Sequence, residues 1–163
     1  MEIKKKKLSG VLDGISVIDL SAGLSGAFCG HALAQLGAVV TAFRPTSADW
    51  SSSHYSDHML ALDSIKKVQK LDYYDPASLE ELAGFCEDAQ LLIEERPVSG
   101  WPLNEPIAGQ LMHRHSSLTS LCISPYGLTG PHSSYAAEPL NIYHSAGHAQ
   151  QIPCDPLWPE YKS

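Results

Sequence analysis

The stretch from Gly14 to Pro45, GISVIDLSAGLSGAFCGHALAQLGAVVTAFRP, constrains this chain more than any other. Ile15, Val17 and Ile18 form a short β-branched run that ends at Asp19, the pattern of a parallel strand covered on both faces. Ser21 to Gly26 follows as a turn of small residues, in which Gly23 and Gly26 let the chain reverse and approach a ligand closely. From about Gly26 to Leu36, Phe28, Leu33 and Leu36 with Ala27, Ala32 and Ala34 fit one side of a helix, and Gly37 closes it. Val39, Val40, Ala42 and Phe43 then make a second buried strand that delivers Arg44. The unit is βαβ, with a right-handed crossover. In such units the strand C-termini and the helix N-terminus line the ligand crevice, and a phosphate is the expected guest. Asp19, the turn and Arg44 are therefore expected at one mouth.

The rest of the chain extends this pattern. Thr46 to Ser56 is polar and reads as a loop, and Asp57 to Ala61 adds a helical turn. Val68 to Leu71 is a short strand, and Asp75-Pro76 starts a helix with Asp75 as cap. Leu79, Leu82, Ala83 and Cys86 share one face of that helix, whereas Glu80, Glu81 and Glu87 give it a solvated one. Gln90 to Glu94 is a strand, Ile107 to His115 a helix and Leu118 to Ser124 another strand. This order predicts an α/β fold: a Rossmann-like open, mainly parallel sheet with helices on both faces, spanning residues 11–163 after a basic tail at residues 1–10. With 163 residues, 44% of them hydrophobic, the chain can bury a core. Its net charge of −7 argues against binding nucleic acid. Lys4 to Lys7 reads as a solvated tail, and no apolar run approaches the ~18 residues of a membrane span. Cys29, Cys86, Cys122 and Cys154 are widely spaced, which suits reduced thiols and a cytoplasmic location.

Several candidates for chemistry stand beside structural alternatives. Ser21 occupies the place of the first glycine in a G-x-G-x-x-G fingerprint, so the turn at Gly23 is as readily structural as phosphate-binding. A nucleophile elbow would need glycine at Ala27. Arg44, at a strand C-terminus, is placed to meet a phosphate with a bidentate fork. The histidine pairs His54/His58, His113/His115 and His144/His148 lack partners at ligand spacing, so no metal is expected.

Three segments in register resemble CoA-transferase family III, the group of formyl-CoA transferase, carnitine CoA-transferase and the 2-methylacyl-CoA racemases. Gly14 to Pro45 is similar to the family's opening G-V-x-V-L-D-L-S to V-E-R-P pattern; LDYYDPASLEELAGFCEDAQLLIEERP resembles its L-D-L-x-D-P to E-N-F-R-P segment; and LTSLCISPYGLTGP resembles its S-I-S-G-F-G-Q-T-G-P loop. The resemblance implies a CoA or acyl-CoA site involving Gly23, Leu24, Arg44, Arg96 and Gly127, a carboxylic acid as acceptor, and a homodimer or complementing chain as partner. It also exposes departures. Glu94-Glu95-Arg96 lacks the family's Asn-Phe pair, and Pro139 falls on its expected carboxylate, leaving Glu138 as the nearby substitute. The nucleophilic aspartate of the family's G-D-x-x-x-G motif has no counterpart before Ser163, and Asp155, in Cys154-Asp155-Pro156, lacks the glycine context. The chain thus reads as an N-terminal portion, inactive alone. Two alternatives are a non-catalytic interaction module of the same fold and a nicotinamide-nucleotide domain in which Arg44 holds a 2′-phosphate.

Overall fold

The structure, a computed structural model, describes residues 10–21, 23–44, 56–72, 75–95 and 107–148. They fall into two compact units, the first ending at Ile123 and the second starting at Ser124.

The first unit is built on β1 (Ser16–Leu20), whose β-branched residues suit a strand with no solvent face. Val17 pairs in parallel with Val40 of β2 (Val39–Arg44) on one side and with Leu91 of β4 (Leu91–Glu95) on the other. With β3 (Lys67–Lys70) and β5 (Thr119–Ile123) the five strands run in the order β3-β2-β1-β4-β5, every neighbouring pair parallel. The edge strand β3 is exposed along its length, and its Lys67 and Lys70 discourage pairing with another chain.

Alternation along the strands divides the core into two layers. Ile18, Leu20, Phe43 and Leu92 pack with Leu82, Ala83 and Cys86 of α3 (Leu79–Cys86) and with Ile107, Ala108 and Leu111 of α4 (Ile107–Met112). On the other face Val17, Val40 and Ile93 pack with Cys29, Leu33 and Ala34 of α1 (Leu24–Gln35). The short helix α2 (Ser56–Asp63) packs against α1. The expected open parallel sheet with helices on both faces is therefore present.

Element boundaries follow from local hydrogen bonds. Gly37 adopts φ +107°, a conformation glycine takes without strain, and its N–H donates to Ala34 O at 3.0 Å to end α1. The Asp75 carboxylate accepts the Ala77 N–H at 3.0 Å, starting a 3-10 turn (Pro76–Ser78) that leads into α3. The α4 helix is shorter than the expected 107–115 because the N–H groups of Arg114 and His115 both turn back to Leu111 O. Among described residues no helix is long and apolar enough to cross a membrane.

In the second unit Gly127 and Gly130 take positive φ in the loop from Ser124, and α5 (Pro139–Ser145) follows. The Tyr126 hydroxyl and Ser145 Oγ are 3.3 Å apart, and the rings of Tyr126, His132 and Tyr135 cluster at centroid distances of 4.9–6.4 Å.

Candidate functional site

The strand order places a switch point between β1 and β4: the chain leaves β1 towards β2 on one side, and β4 pairs with β1 on the other. Crevices at the C-terminal ends of such strands are where open α/β sheets bind ligands. A buried charge network, a pair of capping glutamates and an apolar groove lie around this end of the sheet.

Asp19, Arg44, Asp63 and Lys66 form a buried charge network on the α1 side. Lys66 Nζ stands 2.7 Å from Asp19 Oδ2 and 3.0 Å from Asp63 Oδ1, and it donates to Ala27 O at 2.8 Å. Arg44 holds Asp63 in a fork, Nε to Oδ2 at 2.9 Å and Nη2 to Oδ1 at 2.7 Å, and reaches Asp19 Oδ2 at 3.4 Å. Its Nη1 donates to the carbonyls of Ser21 and Phe43, both at 3.2 Å. Asp19 Oδ1 in turn accepts the Ser21 N–H at 2.9 Å and its hydroxyl. Burial alone would raise the Asp19 carboxyl, but Arg44, Lys66 and the Ser21 hydroxyl together hold it below the usual carboxylate range. Gly30 is what allows α1 to lie on this cluster, since a Cβ there would stand 2.7 Å from Asp19 Oδ2.

Arg44 is therefore 7% exposed with every guanidinium nitrogen engaged inside the protein. It would meet a phosphate only if the Asp63 pair opened. Asp19, fully buried, lies beneath α1 rather than at the mouth.

The adjacent glutamates at the end of β4 serve opposite faces, as strand alternation requires. Glu94, 2% exposed, accepts the N–H groups of Ile107 and Ala108 at 2.8 and 3.0 Å and caps α4. Glu95 Oε2 accepts those of Gly23 and Gly26 at 2.9 and 3.0 Å and caps α1. Burial raises both carboxyls, against the lowering effect of these N–H donors; nearby Asp19 raises Glu95 further.

Beside this turn an open cavity of about 620 Å³ runs between α1 and α2, lined by Leu24, Ser25, Phe28, His58, Ala61 and Leu62. Leu24 thus joins the first turn of α1 to an apolar groove. His31 ties the two helices together: its Nδ1 lies 2.9 Å from Leu62 O, while its Nε2 lies 3.1 Å from Gln35 Nε2.

Of the residues singled out in the sequence, Gly23, Leu24 and Arg44 come together around the turn after β1. Gly127 and Glu138 belong to the second unit, and Arg96 lies outside the described residues. Glu138 is the N-cap of α5, its N–H donating to Asn141 Oδ1 at 3.0 Å and its carbonyl accepting the Asn141 N–H at 2.9 Å. Among described residues there is no metal-ligating group of three or more side chains, and Cys29, Cys86 and Cys122 form no disulfide. His54, Cys154 and Asp155 lie outside the described residues. Asp63, Lys66 and the capping role of Glu95 were not singled out from the sequence. The usable signal was Gly30, a mid-helix glycine that marks a close approach.

The profile of CoA-transferase family III matches residues 12–156. The chain belongs to this family. Among solved structures, a hypothetical protein (Rv3272) from Mycobacterium tuberculosis superposes with a TM-score of 0.76 and 22% identity, over 94% of this chain and 44% of that one. A CAIB/BAIF family protein from Brucella suis gives a TM-score of 0.75 and 20% identity, over 95% of this chain and 44% of that one. At this identity the likeness is one of fold. The chain spans less than half the length of these two structures. No match was found among curated proteins.

Proposed function

We propose that this chain is the N-terminal, CoA-binding part of a family III CoA-transferase, which moves CoA between an acyl-CoA and a carboxylic acid, and that it is inactive alone. The family match over residues 12–156 carries this reading. Gly23 and Leu24 present backbone and an apolar wall at the switch point, where the CoA chain passes. Arg44 holds the turn through the Ser21 carbonyl, Arg96 supplies positive charge to the phosphates, and Gly127 shapes a loop near the thioester. The family reaction needs a carboxylate that attacks the thioester carbonyl, forming a mixed anhydride and releasing CoA thiolate. Glu138 is the only substitute offered near the expected position, and its place as a helix N-cap suits a structural role.

The apolar groove between α1 and α2, with Phe28 63% exposed in its wall, favours a second reading, a binding module that pairs with another protein chain. The nicotinamide-nucleotide alternative is weaker, because Arg44 has no uncommitted donor for a 2′-phosphate.

Calorimetry with CoA tests the binding reading. Saturable binding is expected, and Arg96→Ala should weaken it by about 1.5–3 kcal/mol, the worth of a hydrogen bond to a charged group. Incubation with labelled acyl-CoA and a panel of carboxylates, followed by mass spectrometry, should show neither transfer nor a covalent adduct. Turnover abolished by Glu138→Gln would overturn the claim of inactivity.

A further inference from the structure

The switch point of this sheet already holds an anion, and that anion is part of the chain. Glu95 Oε2 accepts the N–H groups of Gly23 and Gly26 at 2.9 and 3.0 Å, the donors a pyrophosphate would need at the start of α1. Gly23 is packed onto it, since a Cβ there would stand 2.8 Å from Glu95 Oε1; a Cβ at Gly26 would meet the Ser21 side chain first and Glu95 Oε2 at 3.1 Å. Gly23 therefore makes room for the carboxylate and Gly26 for Ser21 and the carboxylate together, which accounts for both without a ligand. Charge bookkeeping points the same way. Asp19 and Asp63 are matched by Arg44 and Lys66, so the buried network beside the turn sums to zero and leaves no spare cation to offset Glu95.

We infer that Glu95 is a specificity-determining residue that bars phosphate groups from the turn after β1. The inference rests on the CoA reading only for its consequence: CoA can pass Gly23 and Leu24 with its uncharged part alone, and its phosphates must be held elsewhere. For any dinucleotide, the pyrophosphate position is closed.

The test uses the whole 163-residue chain, wild type and with Glu95→Ala or Glu95→Gln, titrated with inorganic pyrophosphate and separately with CoA. Amide signals of Gly23 and Gly26 are followed by NMR. In the wild type these two signals should not move with pyrophosphate, whereas Glu95→Ala should give saturable shifts and at least ~10-fold tighter binding. Glu95→Gln removes the charge while keeping an acceptor for the N–H groups, so it tests the same point if the alanine variant fails to fold; it too should bind pyrophosphate more tightly than the wild type. Saturable shifts of Gly23 and Gly26 in the wild type, or no gain in a folded variant, would overturn the inference. CoA binding that leaves these two signals in place supports both this inference and the CoA reading. Absence of CoA binding by the wild type would remove the CoA reading and leave the pyrophosphate comparison to decide the role of Glu95.

Discussion

Replacing Lys66 with methionine tests whether the buried charge network holds the sheet end together. The ammonium group is fully buried and has three partners within 3.0 Å: the Asp19 and Asp63 carboxylates and Ala27 O. Methionine fills much of the same volume but leaves Asp19, also fully buried, with Arg44 at 3.4 Å as its remaining cation. Removing one partner of a buried ion pair typically costs about 3–5 kcal/mol, because the other charge stays desolvated and uncompensated. That is a large part of the ~5–15 kcal/mol that keeps a domain folded. Urea unfolding at pH 7 should therefore show Lys66→Met less stable by about that amount. The double variant with Asp19→Asn should recover at least ~1 kcal/mol relative to additivity. The pH dependence carries a sign of its own. Asp19 is held below its ordinary value, so its contribution to stability is present above the unfolded value of ~3.9 and lost as pH falls through the folded value. In Lys66→Met that loss should be smaller and be complete at a higher pH, since one of the cations that lowers Asp19 is gone. A loss under ~1 kcal/mol with no coupling to Asp19 would refute the reasoning and mean that solvent already screens the cluster.

Two glycines in helices should respond to alanine with opposite signs. At Gly30 the new methyl would stand 2.7 Å from Asp19 Oδ2 and 3.2 Å from Lys66 Nζ, so Gly30→Ala should cost ~1–3 kcal/mol despite better helix propensity. Gly84 in α3 has open space around it, and Gly84→Ala should add ~0.5–1 kcal/mol; denaturant midpoints of both variants check the pair. The Cys86 thiol, pushed up to about 11 by burial, should stay unreactive towards a thiol reagent at pH 8 until urea unfolds the chain, as peptide mapping after labelling would report. Burial also raises Glu94, so stability associated with its protonated form is present below the unfolded value of ~4.3 and lost as pH rises through the folded value. Glu94→Gln should flatten the stability curve across that window, and an unchanged curve would remove Glu94 as its source.

The fold was legible because its evidence is periodic. The runs around Ile18, Val40, Leu92 and Leu121 read as strands, and all four pair in parallel, as expected. The helix face of Leu82, Ala83 and Cys86 was equally clear and is buried. Pairings between polar side chains distant in sequence were not legible. Lys66 lies among Ile65, Lys67 and Val68 with nothing local to mark it as the partner of Asp19, 47 residues earlier. The link between Glu95 and Gly23 spans 72 residues and depends on β4 lying beside β1, which the sequence order alone does not specify.

The end of the sheet shows why residue type and position underdetermine a ligand site. An arginine at a strand C-terminus, a glycine turn and a helix start are what an anion site requires, and in this chain each has a partner from within the protein. Asp63 takes the fork of Arg44, and Glu95 takes the N–H groups of Gly23 and Gly26. Both arrangements use the chemistry by which a phosphate would be bound, charge-assisted hydrogen bonds to a planar cation and to helix amides. A ligand anion can take either place only by displacing a carboxylate already seated there. The Asp63 fork is braced by Lys66, whereas the Glu95 cap has no cation of the network behind it. Of the two, the seat held by Glu95 is therefore the one a single substitution can open.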